Sequence, residues 1–406
     1  MDLRWVRSLV GPGQRGMDSL HTVEEFRDAA RRVLPQVIWD FVDGGAEGET
    51  SLRANIDSLE RVLFDPRFLV DVADRDVATQ VFGERVGLPL ILSPAGLATV
   101  VHPGGELAAA QAAADCDAIF VLSTASGYTL EQVAEVSSGR LWFQLYLWRS
   151  ETLVRSLIDR AAAAGYEALV VTIDVPMVGK RERDLRNRMS LPLRFRPSAI
   201  VDLALHLPWF LRMLKGPEVT FANLRDLAPG DDATYIGTYV DRELTDPSRV
   251  WADLAAIRRR WSGPLVVKGI LSPTDAIKAM EHGADGVIVS NHGGRQIGSV
   301  PGAASVLPAV AEAVAGRAEV FLDGGVRRGE DIVKARALGA TAACAGRPWF
   351  WGLAVGGEAG VRRVLSVLAA DTDRTLALIG RRCLDDVDDT ALVNAIDGSV
   401  DLDDLA

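Results

Sequence analysis

The 406-residue sequence predicts an α/β fold of the (β/α)8, or TIM, barrel class. From about residue 88 onward, eight short β-branched runs alternate with alanine-rich amphipathic stretches. Each run is continuously apolar, as expected of parallel strands that are covered by helices on both faces. An open doubly wound sheet is the structural alternative, but Ser93-Pro94-Ala95-Gly96 after the first run lacks the glycine spacing of its phosphate-binding turn.

The predicted strands and helices follow one another at the spacing of a barrel. The strands are Leu88–Leu92, Ala118–Leu122, Leu141–Leu145, Ala168–Ile173, Leu265–Lys268, Gly286–Ser290, Glu319–Leu322 and Ala342–Ala345. Helices are predicted at Glu106–Ala114, Thr152–Ala164, Pro273–His282 and Asp331–Leu338. Since nearly every strand is followed by a helix, the barrel is predicted to span residues 88–384.

Three segments lie outside this repeating pattern. Residues 1–87 are predicted to form an N-terminal helical extension, with Thr22 as a helix cap and Glu25 as its capping-box partner. Residues 175–250, after the fourth strand, form an insertion too long for an ordinary connection and typical of a lid. Residues 385–406 carry a run of aspartates and are interpreted as a solvated acidic tail.

Part of the insertion, residues 200–211, is strongly apolar. We expect it to form a lid helix packed on the barrel or on another subunit. A membrane-surface patch is the alternative, which is less favoured because Asp202, His206 and Pro208 interrupt the apolar sequence.

Composition narrows the class of protein. The net charge of −11 argues against a nucleic-acid-binding surface, which needs a basic face. Cys116, Cys344 and Cys383 are too few and too scattered for a disulfide framework or a zinc site, so no metal is predicted and a cytoplasmic setting fits. Neither a signal peptide nor an apolar stretch long enough to span a bilayer is recognised.

Polar side chains occur at nearly every predicted strand end. In such barrels the catalytic groups come from the carboxyl ends of the strands, so these residues predict an active-site rim. In chain order the rim comprises Ala95, Gly96, Ser123, Gln144, Tyr146, Thr172, Asp174, Lys268, Ser290, His292, Arg295, Asp323, Gly325, Arg327, Gly346 and Arg347.

The end of the sixth strand carries the strongest chemical signal. His292 can take up a proton near neutral pH, and Arg295 can bind a carboxylate through two parallel hydrogen bonds. Asp174 is interpreted as the group that orients His292, with a plain helix cap as the alternative. Arg181 is either a second carboxylate-binding group or a solvated surface charge.

Cofactor chemistry is predicted at the fifth, seventh and eighth strand ends. Lys268 could stabilise negative charge on a reduced cofactor ring, although an ordinary strand-end lysine is the alternative. Gly324-Gly325 with Arg327, and Gly346-Arg347 on the next strand, match the phosphate cradle that these barrels build after strands seven and eight.

With these motifs in place, the chain resembles the FMN-dependent L-2-hydroxy-acid oxidase and dehydrogenase family. That family includes glycolate oxidase, L-lactate dehydrogenase and mandelate dehydrogenase. The resemblance extends from Leu34 to Cys383 and rests on S-N-H-G-G-R-Q at 290–296, L-D-G-G-V-R-R-G at 322–329 and F-Q-L-Y at 143–146.

The resemblance implies FMN as cofactor and a role for each rim residue. The flavin ring would be held by Ala95, Gly96, Ser123, Gln144, Thr172, Lys268 and Ser290. Its ribityl phosphate would be held by Asp323, Gly325, Arg327, Gly346 and Arg347. His292 would be the base, Asp174 its partner, Lys268 the support of the reduced flavin, Arg295 the main carboxylate anchor, and Tyr146 and Arg181 its helpers.

This chain departs from the family pattern at the substrate end. Phe41 stands where the family usually carries a tyrosine whose hydroxyl helps to bind the substrate carboxylate. Gly96 and Ala125 stand where some relatives carry larger side chains. Phe41 implies either weaker substrate binding or a substrate that is not a simple short hydroxy acid, and the two small residues indicate a larger or aromatic substrate side chain.

The activity implied by the resemblance is oxidation of an L-2-hydroxy acid, lactate-type or mandelate-like, to the 2-keto acid. Either hydride leaves for flavin N5 while His292 takes the hydroxyl proton, or His292 takes the Cα proton and leaves a carbanion. The electron acceptor could be oxygen, a quinone or a cytochrome, and a homo-oligomer, a tetramer, is expected. Cytoplasmic localisation is expected, with a peripheral position at the inner membrane as the variant. The alternatives are an enzyme like type 2 isopentenyl diphosphate isomerase and a flavin-binding member with another substrate.

Overall fold

The computed structural model describes residues 14–189, 199–225 and 246–393. Its centre is a closed barrel of eight parallel strands, in which each strand pairs with the next along the chain and the last closes on the first. The barrel strands are β3 (Leu90–Leu92), β4 (Ile119–Ser123), β5 (Leu141–Tyr146), β6 (Ala168–Thr172), β7 (Leu265–Ile270), β8 (Gly286–Ser290), β9 (Glu319–Asp323) and β10 (Ala342–Ala345). The predicted barrel is confirmed, with every strand in its predicted place to within two residues at each end.

Helices surround the barrel in the described parts of the chain. Those of the N-terminal extension are α1 (Gln14–Met17), α2 (Val23–Val33), α3 (Gln36–Asp43) and α4 (Thr50–Glu60). The insertion contributes α8 (Glu182–Asn187), α9 (Ala199–Leu205) and α10 (Leu207–Leu214). Those between and after the barrel strands are α5 (Gly105–Asp115), α6 (Leu130–Val136), α7 (Glu151–Ala163), α11 (Trp251–Arg260), α12 (Pro273–Glu281), α13 (Ala303–Val314), α14 (Gly329–Ala337) and α15 (Arg347–Ile379).

Local sequence explains where several helices begin. Thr22 caps α2 and Glu25 completes the capping box, as predicted from the sequence. Thr129 caps α6 in the same way, and Ser150 and Ser272 accept backbone N–H groups at the starts of α7 and α12. These caps satisfy donors that the first helical turn would otherwise leave unpaired.

The N-terminal extension is not wholly helical, contrary to the prediction for residues 1–87. Residues Thr79–Val81 (β1) and Glu84–Val86 (β2) form an antiparallel hairpin. Phe82 in its turn packs against Trp142 and Phe321 of the barrel interior, with ring centroids 5.6 and 6.0 Å away. The hairpin therefore plugs the amino end of the barrel, and it escaped prediction because each strand has only three residues.

The apolar part of the insertion forms two helices, α9 and α10, that meet at His206. Trp209 is buried, and its Nε1 donates a hydrogen bond to the carbonyl oxygen of Val100 in the loop after β3. Leu205 and Leu214 on the outer side remain 76% and 66% exposed. No helix within the described residues is both long and apolar enough to cross a membrane.

The start of the acidic segment is packed rather than free. Leu384, Val387 and Ala391 are buried against α14 and the end of α15, whereas Asp388 and Asp389 stay exposed. The interpretation of a solvated tail therefore holds for the carboxylates of this stretch and not for its backbone. The aspartates at 401, 403 and 404 lie outside the described residues.

Candidate active site

The carboxyl ends of the barrel strands open on one cavity. The predicted site residues that line it are Phe41, Ala95, Gly96, Tyr146, Arg181, Lys268, His292, Arg295, Asp323, Gly325, Arg327, Gly346 and Arg347. The remaining predicted residues do not line the cavity but lie beside it. Asp174 and Ser290 are hydrogen-bonded to the lining residues His292 and Lys268, and Ser123, Gln144 and Thr172 are hydrogen-bonded to one another. The barrel brings all the predicted residues to one place, while their roles stay predictions.

Strand register explains this convergence. In a closed parallel barrel the ends of neighbouring strands lie at one rim, so polar residues that end successive strands become neighbours. The opposed pairs are Ser123 with Gln144, Tyr146 with Thr172, Thr172 with Lys268, and Ser290 with Asp323.

His292 and Asp174 form a hydrogen-bonded pair. The distance between His292 Nδ1 and Asp174 Oδ1 is 3.0 Å. The backbone of His292 has a φ of +59°, which is uncommon for a non-glycine residue, and its N–H donates to Ser290 Oγ. Because a carboxylate accepts hydrogen bonds, the pair fixes the tautomer with hydrogen on Nδ1 and leaves Nε2 as the basic nitrogen.

The electrostatics of this pair favour a neutral imidazole. Burial lowers the pKa of His292, and Lys268 lowers it further, while Asp174 opposes the shift. Burial raises the pKa of Asp174, but the neighbouring His292 and Lys268 outweigh it and hold that pKa below its usual value. At neutral pH the site therefore presents an imidazole that can accept a proton beside a carboxylate that can stabilise the resulting cation.

Lys268 is held in a buried polar cluster at the centre of the rim. Its Nζ lies 3.0 Å from Asp323 Oδ2 and donates to Ser290 Oγ at 3.0 Å. Ser290 and Ser93 in turn donate to the two oxygens of Asp323. Burial lowers the pKa of Lys268, but Asp323 and Asp174 outweigh it and raise that pKa overall, so the ammonium stays charged.

The Gln144 side chain connects the ends of β4, β5 and β6. Its Oε1 accepts a hydrogen bond from Ser123 Oγ at 3.0 Å, and its Nε2 donates to Thr172 Oγ1 at 3.0 Å. A buried amide that is held from both sides presents fixed donor and acceptor groups. This arrangement suits recognition of the polar edge of a planar heterocycle.

Backbone carbonyl groups of the N-terminal extension hold the Arg295 side chain in place. Its Nη1 donates to the carbonyl oxygens of Phe41 and Gly44, both at 2.8 Å, and its guanidinium carbon lies 5.3 Å from the centre of the Phe41 ring. Burial, then the charges of Arg181 and Arg347, lower the pKa of Arg295 well below its usual value. A buried guanidinium among other cations is a site for an anion, such as the carboxylate of a substrate.

The cavity lining carries two more guanidinium groups, those of the half-buried Arg347 and Arg327. Arg347 donates to the carbonyl oxygens of Gly293 and Gly44, and its Nε is buried with no partner among the described residues. Arg327 lies over the Trp351 ring, and burial, followed by the charge of Arg347, lowers its pKa to about 10. Because two neighbouring cations repel each other, this arrangement favours the binding of an anion between them.

Glycine is required beside these arginines. Gly325 has a φ of +94°, and a Cβ there would lie 2.3 Å from the carbonyl oxygen of Asn55. A side chain at this position would therefore clash with α4, against which the turn packs. Together with the unpartnered Arg347 Nε and the polar groups around Gln144 and Lys268, these residues fit FMN, the cofactor that the resemblance implies.

The cavity lining also contains apolar residues that the sequence motifs did not predict. They are Leu97, Trp148, Val178, Phe221 and Phe350. Trp148 follows the F-Q-L-Y motif by two residues, so the strand-end rule could have found it. Val178 and Phe221 belong to the insertion, where the sequence carries no comparable signal.

Tyr146 lies between the apolar wall and the charged groups. Its ring packs edge-on against Trp148, and its hydroxyl has no hydrogen-bond partner within residues 14–189, 199–225 and 246–393. Burial raises the pKa of Tyr146, so the phenol is neutral and can donate a hydrogen bond to an anion.

The structure refines the interpretation of Phe41 and Gly96. Phe41 covers the Arg295 guanidinium with its ring and supports it with its carbonyl group, so the missing hydroxyl does not leave that guanidinium without support. A Cβ on Gly96 would lie 2.9 Å from the Cβ of Ala125. Gly96 and Ala125 are therefore in close contact, and the additional room inferred from them stays a prediction.

A charged cluster ties the insertion to the N-terminal extension. Arg183 of α8 lies 3.6 Å from Asp40, 3.5 Å from Asp43 and 2.5 Å from Glu49. The sequence did not predict this cluster, because Arg183 is more than a hundred residues away from the three acidic residues. It holds the start of the insertion close to Phe41 and Arg295.

Comparison with known proteins agrees with this geometry. A family model described as FMN-dependent dehydrogenase matches residues 30–394. An L-lactate oxidase of Nostoc sp. is 42% identical over 372 residues, which are 91% of this chain and 96% of the relative. A peroxisomal (S)-2-hydroxyacid oxidase of Arabidopsis thaliana is 38% identical over 371 residues, again 91% of this chain and 96% of the relative.

Solved structures give the same result. A structure described as the monotopic membrane protein (S)-mandelate dehydrogenase superposes with a TM-score of 0.88 at 39% identity, covering 93% of this chain and all of its own. A mandelate oxidase superposes with a TM-score of 0.79 at 38% identity, covering 92% of this chain and 98% of its own. The comparisons confirm the resemblance that the strand-end motifs indicated.

Proposed function

The chain belongs to the FMN-dependent dehydrogenase family and acts on a CH–OH donor; we propose that its substrate is an L-2-hydroxy acid with a bulky apolar side chain. The product would be the 2-keto acid. The observation that carries the proposal is the His292–Asp174 pair at 3.0 Å, whose imidazole faces the same cavity as the Arg295 guanidinium. A base and a carboxylate-binding cation that share a cavity with an apolar wall suit this substrate class.

His292 acts as the base in this proposal. Since Nδ1 is bound to Asp174, the proton of the substrate goes to Nε2. The Asp174 carboxylate then stabilises the imidazolium, as the acid does in a catalytic triad. The same nitrogen serves whether the proton comes from the hydroxyl group or from Cα.

Arg295 and Arg181 orient the substrate by its carboxylate, and the Tyr146 phenol donates a further hydrogen bond. The carbonyl oxygens of Phe41 and Gly44 hold the Arg295 guanidinium in place before substrate arrives. A prepositioned anchor reduces the ordering that binding requires and fixes Cα relative to the base.

FMN, when bound, accepts the two electrons that leave the substrate. Arg327, Arg347 and the Gly325 backbone would hold its phosphate. Lys268, kept charged by Asp323, would stabilise the added negative charge. The ring would be contacted by residues at the ends of β3 to β8, namely Ala95, Ser123, Gln144, Thr172, Lys268 and Ser290.

The size of the substrate side chain follows from the apolar end of the cavity. Trp148, Phe221 and Val178 line the cavity, as do the small residues Gly96 and Ala125. The names of the relatives, a lactate oxidase and mandelate enzymes, cover both small and aromatic side chains. We favour the aromatic class because aromatic side chains line the space beyond the carboxylate anchor.

An anaerobic titration tests the proposal. The purified flavoprotein would be mixed with L-lactate, glycolate and (S)-mandelate in turn, and bleaching of the flavin absorbance followed. We expect the fastest bleaching with (S)-mandelate. Faster bleaching by glycolate would contradict the side-chain assignment, and bleaching by none of the acids would contradict the substrate class. Admitting air, or a short-chain quinone, to the reduced protein would then distinguish an oxidase from a dehydrogenase.

The outer side of α9 and α10 supports a peripheral membrane location. Leu205, Leu211 and Leu214 are exposed there, while Trp209 on the other side anchors the helices to the barrel. Adjacent short helices with one apolar side exposed and the other side docked can lie in a membrane interface. The solved mandelate dehydrogenase is described as a monotopic membrane protein.

Co-sedimentation with vesicles of phosphatidylethanolamine and phosphatidylglycerol tests this location. We expect the protein to pellet with the vesicles, and a Leu205→Glu/Leu211→Glu variant to stay in the supernatant. Leu378→Glu on α15, which changes an equally exposed leucine elsewhere, is the control and should still pellet. A wild-type protein that stays in the supernatant would refute the membrane proposal.

The homo-tetramer stays a prediction. Phe68 and Leu69, whose side chains are exposed near the end of the N-terminal extension, offer an apolar surface for contact between copies. Light scattering after size-exclusion chromatography measures the mass directly.

A further inference from the structure

Glu106 is a fully buried carboxyl group that the reaction described above does not use. It lies in the first turn of α5 and does not line the cavity. Its Oε1 accepts a hydrogen bond from the backbone N–H of Ala98 at 3.0 Å and another from that of Gly127 at 3.1 Å. Ala98 lies in the loop after β3 and Gly127 in the loop after β4, so one carboxyl oxygen bridges both loops.

These two loops form the small-residue wall at the substrate end. Gly96, Leu97 and Ala125 line the cavity. The loops are joined directly, because the N–H of Leu97 donates to the carbonyl oxygen of Ala125 at 2.9 Å. A shift of either loop would therefore change the space available to the substrate side chain.

The backbone next to Glu106 needs external support. Leu97 has a φ of +59°, an uncommon conformation for a branched residue, which persists only where its surroundings hold it. The next residue, Ala98, carries one of the two N–H groups that Glu106 binds. On the other loop, a Cβ at Gly127 would lie 2.2 Å from Thr99 Oγ1, so the two loops are already in close contact behind the wall.

Asn223 of the insertion is hydrogen-bonded to the loop after β4. Asn223 donates from its Nδ2 to Ser126 Oγ at 2.9 Å, and its Oδ1 accepts the N–H of Leu130 at 2.8 Å. Its neighbour Phe221 lines the cavity. Asn223 thus holds the β4 loop, whereas Glu106 holds the β4 loop and the β3 loop together.

We propose that Glu106 is a positioning residue that holds the β3 and β4 loops in register and so sets the preference among 2-hydroxy acids by side-chain size. This inference rests on the proposed function for its substrate class. Burial raises the pKa of Glu106 to about 7, so the neutral carboxylic acid is populated at neutral pH. Glutamine, which is neutral and keeps an accepting oxygen, is therefore the conservative replacement.

The test compares Glu106→Ala with Glu106→Gln in the FMN-loaded enzyme. Hydrogen–deuterium exchange would be followed in peptides that cover residues 94–100 and 123–129, and kcat and KM measured with (S)-mandelate and L-lactate. For Glu106→Ala we expect faster exchange in both peptides and a rise in KM for (S)-mandelate on the order of tenfold, with a smaller change for L-lactate and in kcat. Glu106→Gln should restore both measurements to near wild-type values. If the alanine variant does not fold, Glu106→Asp, which shortens the side chain by one methylene, takes its place.

Glu319→Ala is the matched control. Glu319 lies at the start of β9, and its Oε1 accepts the N–H of Phe82 in the hairpin at the other end of the barrel. Its loss should lower thermal stability without changing the ratio of the two KM values.

Two results would overturn the proposal: exchange in both loops unchanged by Glu106→Ala, or a KM ratio that moves no more than in Glu319→Ala. A wild-type enzyme that none of the acids reduces would refute the proposed function instead. The exchange comparison, which needs no substrate, would still decide whether Glu106 holds the loops.

Discussion

The two parts of the cavity to which we assign the FMN phosphate and the substrate are built in different ways. At the proposed phosphate end, Gly325, Arg327 and Arg347 come from short motifs that directly follow the last two barrel strands. At the substrate end, Phe41 comes from the N-terminal extension and Phe221 from the insertion. The phosphate end is therefore specified by local sequence, whereas the substrate end depends on segments that are far apart in the chain.

One backbone group joins the two ends. The carbonyl oxygen of Gly44 accepts a hydrogen bond from Arg295 and another from Arg347, both at 2.8 Å. A Cβ on Gly44 would lie 2.5 Å from the carbonyl oxygen of Asp40, so a larger residue would displace this turn. The side chains proposed to bind the cofactor and those proposed to bind the carboxylate are therefore different, but they share one backbone support.

Replacing the base should have the largest effect, and only on the substrate end. We expect His292→Ala to reduce the rate of anaerobic flavin reduction by about 10⁴-fold, because proton transfer loses its acceptor. FMN content should stay at the wild-type level, since Arg327 and Arg347 are untouched. Stopped-flow absorbance measures the rate, and His282→Ala on the exposed end of α12 is the control. A normal reduction rate would remove His292 from the mechanism.

Asp174→Asn should affect both the rate and its pH dependence. We expect a loss on the order of 10²-fold, because asparagine can stabilise the tautomer with hydrogen on Nε2. The reduction rate requires neutral His292, so it falls as the pH drops through the pKa of this imidazole, which burial holds below its usual value. Asp174 raises that pKa, so its removal should move the acidic limb to lower pH.

A pH profile of the flavin reduction rate checks this prediction. Asp184→Asn removes a carboxylate that lies 4.0 Å from Arg295 rather than beside His292, and should leave the limb in place. A limb that moves to higher pH in Asp174→Asn would contradict the assignment.

Arg327→Gln should weaken the phosphate end alone. Loss of a charge-assisted contact to a phosphate typically costs about 1.5–3 kcal/mol, so we expect the Kd for FMN to rise by about 10- to 100-fold. Fluorescence titration of the apoprotein with FMN measures it. At saturating FMN the reduction rate should be close to the wild-type rate, and the exposed neighbour Arg328→Gln should bind FMN normally. An unchanged Kd for FMN would contradict the assignment of Arg327 to the phosphate end of the cavity.

Phe41→Tyr should give the smallest effect. The added hydroxyl would supply one more donor to the substrate carboxylate, and we expect KM to fall by about tenfold or less, with FMN affinity unchanged. Steady-state kinetics measure the change. A higher KM would show that the Phe41 ring matters chiefly as a cover for Arg295.

The barrel strands and the polar residues at their ends could be predicted from the sequence. Strands that are buried on both faces are continuously apolar, and active-site groups in a barrel follow those strands. His292, Lys268 and Asp323 could therefore be found from their positions at strand ends. The hairpin at 79–86 was missed because its strands are too short to show a period. The packing of Val387 was missed because a run of aspartates dominates its surroundings.

The barrel, and the predictions of a phosphate cradle and of His292 as base, could be drawn from the sequence alone, since each depends on the order of residues within one strand and its following turn. Only the tertiary structure decided what closes the substrate end. Trp209 docks the insertion on the loop after β3, and Arg183 forms ion pairs between the insertion and the N-terminal extension. Glu106 connects the loops after β3 and β4. These contacts join residues that are distant in the chain or lie in irregular loops, so no local sequence pattern encodes them. They form only when the barrel has brought the insertion, the N-terminal extension and the strand-end loops to one rim.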